Sequence, residues 1–506
     1  MMIPALVMAL IAVLAGTAVP AAGGVVRVDS GWLRGSVAAD HVAYPGVPYA
    51  APPVGERRWR PPARVQPWSG IRNATAPSTP CAQQAGAVGA EDCLYLDVKV
   101  PHRVRPGERL PVLVWLPGGG FAAGASQEYD GSELATSGRL MVVTVNYRLG
   151  ALGYLSSPAL GQGNYGLMDQ AAALRWVRRN AASFGGDPGN VTLAGQSAGA
   201  RSVCALLASP LGRGLFHRAI TQSGACDNRV PTLTEARAVG AKATEDLGCT
   251  AAPDVAACLR AHPPTRVLSV LSGLPPVHGR AGDRPWGPSA GTSVLPRQPG
   301  DALRTGTAAR VPLLIGGTAD EMRGFVSRQS SLTAEQYRAM MVETFGDRAD
   351  AVLAKYPVTS TPALALATAL SDWGGFIGAC PVLRTAQAAA VRQPVYAYEF
   401  AEDSGRVTSD GFPLGAYHSQ DLPYLWTVNM PQNPYPPLTA EQERLSATMI
   451  EYWTAFARTG NPNGTGRPHW PAFNHRGTVL GLSTTGIAPT PYATDHRCGF
   501  WQDLPR

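Results

Sequence analysis

A Gly-x-Ser-x-Gly motif, in which Ser197 lies between Gly195 and Gly199, follows an apolar run at residues 191–194 and precedes a run of small residues. A serine on a sharp strand-to-helix turn needs small residues two positions before and after it, because the backbone is crowded there. With 56 glycines in the chain, the motif alone is weak evidence. Its position between a strand and a helix is what a nucleophile elbow requires, so we predict that Ser197 is a nucleophile.

A serine hydroxyl is a poor nucleophile until a neighbouring base takes its proton. Histidine suits this task near neutral pH, and a carboxylate behind the histidine fixes its tautomer and stabilises the imidazolium. The chain must therefore supply one histidine and one carboxylate near Ser197.

Short β-rich runs alternate with helical stretches in the first half of the chain, which is typical of a mostly parallel sheet covered by helices on both faces. Residues 169–177 have the periodicity of an amphipathic helix that ends near residues 184–188. The predicted strands of this half are residues 93–100, 111–116, 140–146, 191–194 and 218–222.

The second half is more helical, with helices predicted at residues 333–356 and 439–459 and strands at 311–315 and 394–400. Residues 274–299 are rich in Pro and Gly and are predicted to be a loop. No fixed-period repeat and no Gly/Ser-rich linker divides the chain. We therefore expect one α/β domain with long helical insertions, spanning residues 25–506.

A second glycine cluster, Gly118 to Gly120, follows the apolar run at residues 111–116. Successive glycines let backbone N–H groups approach a substrate oxygen without interference from Cβ atoms. The N–H groups of Gly119, Gly120 and Ala198 are the predicted oxyanion donors. A tight turn or a phosphate-binding loop is the alternative, but no Lys-Ser/Thr pair follows the glycines.

Residues 1–24 form an apolar run that ends in small residues, which predicts a signal peptide and a secreted, extracellular protein. No Lys or Arg precedes the apolar run, so an uncleaved membrane anchor is the alternative. After signal removal we expect no membrane span, because no later apolar run reaches about 20 residues. The formal charge of +7 comes from arginines spread along the chain, which argues against a nucleic-acid partner.

Eight cysteines in an exported chain indicate disulfides. Their spacing lacks Cys-x-x-Cys pairs, so a zinc site is not expected. Cys81 with Cys93, and Cys249 with Cys258, would close short loops, although spacing alone does not prove a pairing.

The chain resembles the type-B carboxylesterases and cholinesterases, including the para-nitrobenzyl esterases, over nearly all of its length. The resemblance rests on seven segments that occur in the family's order: residues 44–50, 91–98, 118–121, 146–150, 184–188, 195–200 and 456–460.

The resemblance implies an α/β-hydrolase fold and a Ser, Glu, His triad in that chain order. It assigns the carboxylate to Glu321, with its neighbour Asp320 as the alternative, and the base to His418. Three other histidines follow Glu321 in the sequence and are expected to be structural or solvated: His469, His475 and His496.

The resemblance also implies that Ser223 supports the triad carboxylate, although a plain strand-end serine is the alternative. It supports three disulfides, Cys81 to Cys93, Cys249 to Cys258 and Cys380 to Cys498. Cys204 and Cys226 are left over and are expected to be buried core residues with inert thiols.

Three departures from the family limit the substrate prediction. Gln196, next to the nucleophile, replaces the glutamate of cholinesterases, and Pro117 replaces the usual histidine or tyrosine before the glycine cluster. No aromatic residue lies between Cys81 and Cys93, so a cation–π site for quaternary ammonium is not supported there.

The sequence therefore predicts a serine hydrolase for uncharged or weakly polar small-molecule esters that needs no metal or cofactor. The oligomeric state stays open. A lipase, lactonase or amidase with the same triad is the alternative enzyme, and a non-catalytic cholinesterase-like binding module is the alternative outside enzymes.

Overall fold

The computed structural model describes residues 24–504, apart from residues 84–87, 106, 273–278, 280–283, 359–360, 376 and 431–433. The predicted signal peptide lies outside the described residues except for its last position. Within the described part of the chain, no helix has the length and apolar character needed to span a membrane.

Within the described residues, thirteen strands form one mixed sheet, and two short strands, β7 and β13, form a separate pair. The strands β1 to β15 are Val25–Val28, Gly31–Val37, His41–Pro48, Ile71–Ala74, Tyr95–Pro101, Leu110–Leu116, Tyr129–Asp130, Met141–Val145, Gly186–Gln196, Arg218–Gln222, Leu313–Thr318, Val395–Phe400, Thr427–Val428, Val479–Ser483 and Gly486–Thr490.

The main sheet has the strand order β1-β2-β3-β5-β8-β6-β9-β10-β11-β12-β14-β15, with β4 paired to β2. The seven strands from β8 to β14 in this order run parallel to one another. The flanking strands pair antiparallel, except that β4 pairs parallel with β2. The predicted α/β class with a mostly parallel sheet is confirmed.

The part of the chain that the structure describes contains sixteen α-helices, which connect or flank these strands. The helices α1 to α16 are Ser132–Thr136, Gly150–Tyr154, Tyr165–Asn180, Ala198–Ala208, Leu233–Asp246, Val255–Ala261, Pro264–Ser269, Pro299–Thr305, Arg323–Val326, Ala334–Phe345, Ala349–Lys355, Pro362–Trp373, Ala379–Ala390, Ala440–Thr459, Tyr492–Asp495 and Cys498–Asp503.

Strand β6 shows why the sheet is covered on both faces, because all seven of its residues are buried. Val112 and Val114 belong to one hydrophobic cluster, whereas Leu113 and Trp115 belong to a second cluster. Successive side chains of a strand point to opposite faces, so the two clusters are the two helix-covered sides of the sheet.

One predicted helix, residues 333–356, is two helices in the structure. Thr333 and Gln336 form a capping box at the start of α10, and Gly346 ends that helix at a positive φ of 55°. Glycine adopts this conformation without the steric cost of a Cβ atom. Helix-forming stretches lie on both sides of Gly346, so the sequence pattern did not reveal the break.

Four disulfides join all eight cysteines: Cys81–Cys93, Cys204–Cys226, Cys249–Cys258 and Cys380–Cys498. The expectation that Cys204 and Cys226 are unpaired core thiols is wrong. Cys204 lies on α4, directly after the elbow, and Cys226 follows β10, so the bridge ties the elbow helix to the adjacent strand end. The two cysteines are 22 positions apart, so their bridge does not close a short local loop that the spacing could suggest. The family resemblance gave no partner for either cysteine.

We predict that the purified chain contains no free thiol. Alkylation under denaturing conditions should add no mass without a reductant, and eight alkyl groups after reduction, as counted by intact mass spectrometry. Two alkyl groups on the unreduced protein, mapped to Cys204 and Cys226, would contradict the fourth bridge.

His496 is a structural residue in a buried ionic cluster. Its Nδ1 lies 2.7 Å from Asp372 and its Nε2 lies 2.6 Å from Glu399. Burial alone would lower the pKa of His496, but the hydrogen bonds to Asp372 and Glu399 outweigh burial and raise the pKa to about 9.

The His496 cluster should make stability depend on pH. A histidine with a raised pKa in the folded state stabilises the fold below its ordinary pKa of 6.5, and the stabilisation is lost as the pH rises through about 9. Urea unfolding should show the advantage of the wild type over His496→Gln shrinking by about 3 kcal/mol between pH 6 and pH 10. An advantage that does not change with pH would contradict a charged His496.

Candidate active site

Ser197 lies at the carboxyl end of β9, where the chain turns sharply into α4. Its backbone has φ 56° and ψ −120°, a conformation that costs a non-glycine residue of the order of 1–3 kcal/mol. Its N–H donates to the carbonyl oxygen of Gln222 on the neighbouring strand at 2.8 Å. A Cβ on Gly195 would overlap the backbone of Gly199, and a Cβ on Gly199 would overlap the carbonyl oxygen of Leu116. The tight strand-to-helix approach therefore requires both glycines of the motif.

The predicted oxyanion loop follows β6, the strand next to β9. Gly119 has φ 104° and Gly120 has φ 63°, and a Cβ on Gly119 would overlap the carbonyl oxygen of Ala123. Ala198 is the first residue of α4, where a backbone N–H has no acceptor within the helix. The carbonyl oxygen of Pro117 accepts a hydrogen bond of 2.7 Å from Tyr147, which holds the strand end before the glycines.

Glu321 and His418 are joined by a hydrogen bond of 2.6 Å between Oε2 and Nδ1. Glu321 is buried, follows β11, and accepts a second hydrogen bond from the N–H of Thr318 at 3.0 Å. The alternative carboxylate, Asp320, instead accepts from the N–H of Ala416 and pairs with Arg323. The carboxylate that contacts His418 is therefore that of Glu321.

The second nitrogen of His418 faces Gln196. Gln196 Nε2 lies 3.1 Å from His418 Nε2 and donates to Ser419 Oγ at 2.9 Å. When Nδ1 donates its proton to Glu321, Nε2 carries the lone pair, so the Gln196 amide donates to it. Within the described residues, no hydrogen bond joins Ser197 to His418. Free enzymes often hold such pairs loosely and tighten them when substrate binds.

Asp421 is a buried acidic residue that sequence reasoning missed. Its Oδ2 accepts from Gln222 at 2.8 Å and from the Tyr398 hydroxyl at 3.1 Å. Gln222 in turn accepts from Trp453 at 3.1 Å. This network anchors the segment after His418 to the ends of β10 and β12. The sequence does contain a signal that could have identified Asp421: it is an acidic residue three positions after His418 and directly before an apolar run.

Burial raises the pKa of Asp421 to about 6, and the negative charge of Glu321 adds to the shift. The carboxyl group is therefore easier to protonate than an exposed aspartate.

Ser223 adopts a positive φ of 53° at the end of β10, and its N–H donates to Gly316 at 2.8 Å. Its Oγ is fully buried and has no hydrogen-bond partner among the described residues. The support of the triad carboxylate by Ser223 stays a prediction.

Cys249, Cys258 and His262 form a cluster whose ligand atoms lie within 4.8 Å of one another. Both sulfurs belong to one disulfide, so neither is available as the thiolate that a metal site of this type needs.

Comparison with known proteins identifies close similarities over almost the whole chain. The model of the Carboxylesterase family matches residues 22–501. The chain is 36% identical over 495 residues to the Fumonisin B1 esterase of Sphingopyxis macrogoltabida, covering 92% of this chain and 89% of that protein. It is 33% identical over 481 residues to the para-nitrobenzyl esterase of Bacillus subtilis, covering 89% and 92%. A solved PNB esterase structure superimposes with a TM-score of 0.80 at 32% identity, covering 94% of this chain and all of that one.

The buried carboxyl group of Asp421 generates a pH-dependent prediction. The pKa of Asp421 is raised from 3.8 to about 6 in the folded state. Between these two pH values the folded state binds more protons than the unfolded state, so the protein loses stability as the pH rises from about 4 to about 6. Asp421→Asn keeps a neutral hydrogen-bonding group. Its free energy of unfolding should gain about 2 kcal/mol relative to the wild type between pH 4 and pH 7, measured by urea unfolding. A constant difference, or a gain by the wild type, would contradict a raised pKa.

Proposed function

The chain belongs to the carboxylesterase family and is a carboxylic ester hydrolase, and we propose that it acts through a covalent acyl-enzyme on Ser197. The observation that carries the proposal is the imidazole of His418, which is bonded to Glu321 on one side and faces the residue before Ser197 on the other. This arrangement supports a triad in which carboxylate, imidazole and hydroxyl act in the order that proton transfer requires.

In the proposed first step, Ser197 Oγ attacks the ester carbonyl and its proton passes to Nε2 of His418. The Gln196 amide must first release that nitrogen, and substrate binding is the event that displaces it. Glu321 holds Nδ1–H and stabilises the imidazolium. The developing oxyanion accepts hydrogen bonds from the N–H groups of Gly119, Gly120 and Ala198.

In the second half of the reaction, His418 gives its proton to the alcohol oxygen, and the alcohol leaves. A water molecule then attacks the acyl carbonyl while His418 accepts its proton, and the collapse of this intermediate regenerates Ser197 and frees the acid. The strained backbone of Ser197 supports this role, because it exposes a hydroxyl at the carboxyl edge of the sheet.

For the alcohol moiety, we propose uncharged or weakly polar groups. The support is the segment between Cys81 and Cys93, which has no aromatic residue to bind a quaternary ammonium group.

We also propose that the protein is exported and that residues 25–506 form one domain. Four disulfides fit an oxidising compartment. Strand β1, which begins at Val25, and strand β15, which ends at Thr490, belong to the same sheet, which supports a single folding unit.

The purified chain should hydrolyse p-nitrophenyl esters, and Ser197→Ala should lower kcat by about 10⁴-fold or more. Glu321→Gln should also lower kcat by about 10⁴-fold, because it loses the charge that stabilises the imidazolium. Ser269→Ala, which changes an exposed serine on α7, is the matched control and should keep wild-type rates.

An acyl series from acetate to palmitate completes this test. Equal turnover by the wild type and Ser197→Ala would reject Ser197 as the nucleophile. If the wild type hydrolyses none of the esters, the proposed acyl-enzyme mechanism on these substrates is rejected. A lipase would give a different result: its rate would be highest with long acyl chains, and only above the concentration at which those esters form an interface with water.

A further inference from the structure

Asp320 directly precedes Glu321, and it holds the backbone of the loop that carries His418. Its N–H donates to the carbonyl oxygen of Ala416 at 3.0 Å. Its Oδ2 accepts a hydrogen bond from the N–H of Ala416, also at 3.0 Å. Main chain and side chain of one residue therefore bind the same peptide segment, two positions before His418.

An ion pair and a glycine fit the Asp320 carboxylate closely to this loop. Its Oδ1 lies 2.8 Å from Nη2 of Arg323, and each of the two side chains is 25% exposed. Gly415, with a φ of 57°, packs against the carboxylate, because a Cβ on that glycine would overlap Asp320 Oδ2. A residue larger than glycine at this position would push the carboxylate away from Ala416.

Two adjacent residues thus hold the same loop at two points. Glu321 bonds Nδ1 of His418 at 2.6 Å, whereas Asp320 bonds the main chain at Ala416. A hydrogen bond at Nδ1 alone leaves the imidazole free to pivot about that nitrogen. The second attachment, through the main chain, limits the direction in which Nε2 points, and catalytic groups need such restraint to about 0.5 Å.

The loop needs an attachment of this kind because it is long. Residues 401–417 separate the end of β12 from His418, and the structure describes all of them without a helix or a strand of the main sheet. Asp421 anchors the segment that follows His418. Asp320 supplies the anchor on the side that precedes it, so the ordering of the loop is complete before a substrate arrives.

We propose that Asp320 is a positioning residue of the active site. Its carboxylate fixes Ala416, and through the main chain it fixes the imidazole of His418 in the direction that proton transfer from Ser197 requires. This inference rests on the proposed acyl transfer by Ser197. It gives Asp320 a task distinct from that of Glu321, the carboxylate that bonds the imidazole itself.

Asp320→Ala should lower kcat for p-nitrophenyl acetate about 10²-fold and change KM by less than about threefold, because a misplaced base slows the chemical steps and not ester binding. Asp320→Asn keeps an oxygen that accepts from Ala416. Its kcat should stay within about fivefold of the wild type, since a partly exposed ion pair with Arg323 contributes little. Asp301→Ala is the matched control, because Asp301 also pairs with an arginine three positions later, and it should keep wild-type values.

Gly415→Ala tests the same contact without changing Asp320. Its methyl group would overlap the carboxylate, so kcat should fall as it does in Asp320→Ala. Gly405→Ala is the control, because Gly405 has a similar φ of 63° but open space around a Cβ, and it should keep the wild-type kcat. If circular dichroism shows that Asp320→Ala does not fold, these two glycine variants carry the test.

Proton NMR of the free enzyme gives a readout that a merely structural role would not move. The Nδ1–H of His418, in its charge-assisted bond to Glu321, should give a low-field signal that is absent from His418→Gln. The signal should broaden or move upfield in Asp320→Ala and Gly415→Ala. It should keep its position in Asp320→Asn and Gly405→Ala.

Wild-type kcat in Asp320→Ala and Gly415→Ala would overturn the positioning role of Asp320. A fall in kcat with an unchanged proton signal would overturn it too, and so would an Asp320→Asn variant as slow as Asp320→Ala. In each of these cases an active wild type leaves the proposed function standing.

If the wild type hydrolyses no ester, the proposed acyl transfer by Ser197 fails, and the proton signal alone decides the inference. A signal altered in Asp320→Ala and kept in Asp320→Asn would support the positioning of His418 by Asp320. Any other pattern would overturn it.

Discussion

The structure depends on the close passage of the elbow backbone between two neighbouring strand ends. Gly195 and Gly199 let α4 start directly at the end of β9, against the carbonyl oxygen of Leu116. This contact forces Ser197 into its strained conformation and puts it beside the glycines that follow β6. Because parallel strands end at one edge of the sheet, the segments after β11 and β12 deliver Glu321 and His418 to the same edge.

Around this edge, buried polar groups are held by partners from distant parts of the chain. Glu321 bonds His418, and Asp421 bonds Gln222 and Tyr398. The low dielectric around these buried groups strengthens each hydrogen bond, and it makes the loss of a partner costly in folding free energy. Gln196 belongs to this group of residues too, because its amide nitrogen lies 3.1 Å from Nε2 of His418.

Sequence reasoning predicted the features that local steric rules or a strong family pattern determine. The elbow glycines and the parallel strands belong to the first kind, and the placement of Glu321 and His418 belongs to the second. It missed features that depend on packing between distant segments: the Cys204–Cys226 bridge, the burial of Asp421 and the approach of Arg284 to Gly120. The N-terminal strands β1 to β4 and the break at Gly346 were also missed.

The most direct test of the account is acid quenching within the first turnover of a p-nitrophenyl ester, followed by peptide mapping. The account predicts one acyl group on the peptide that contains Ser197, formed with the initial burst of p-nitrophenol. An acyl group on any other peptide, or a burst without an adduct at Ser197, would contradict the account.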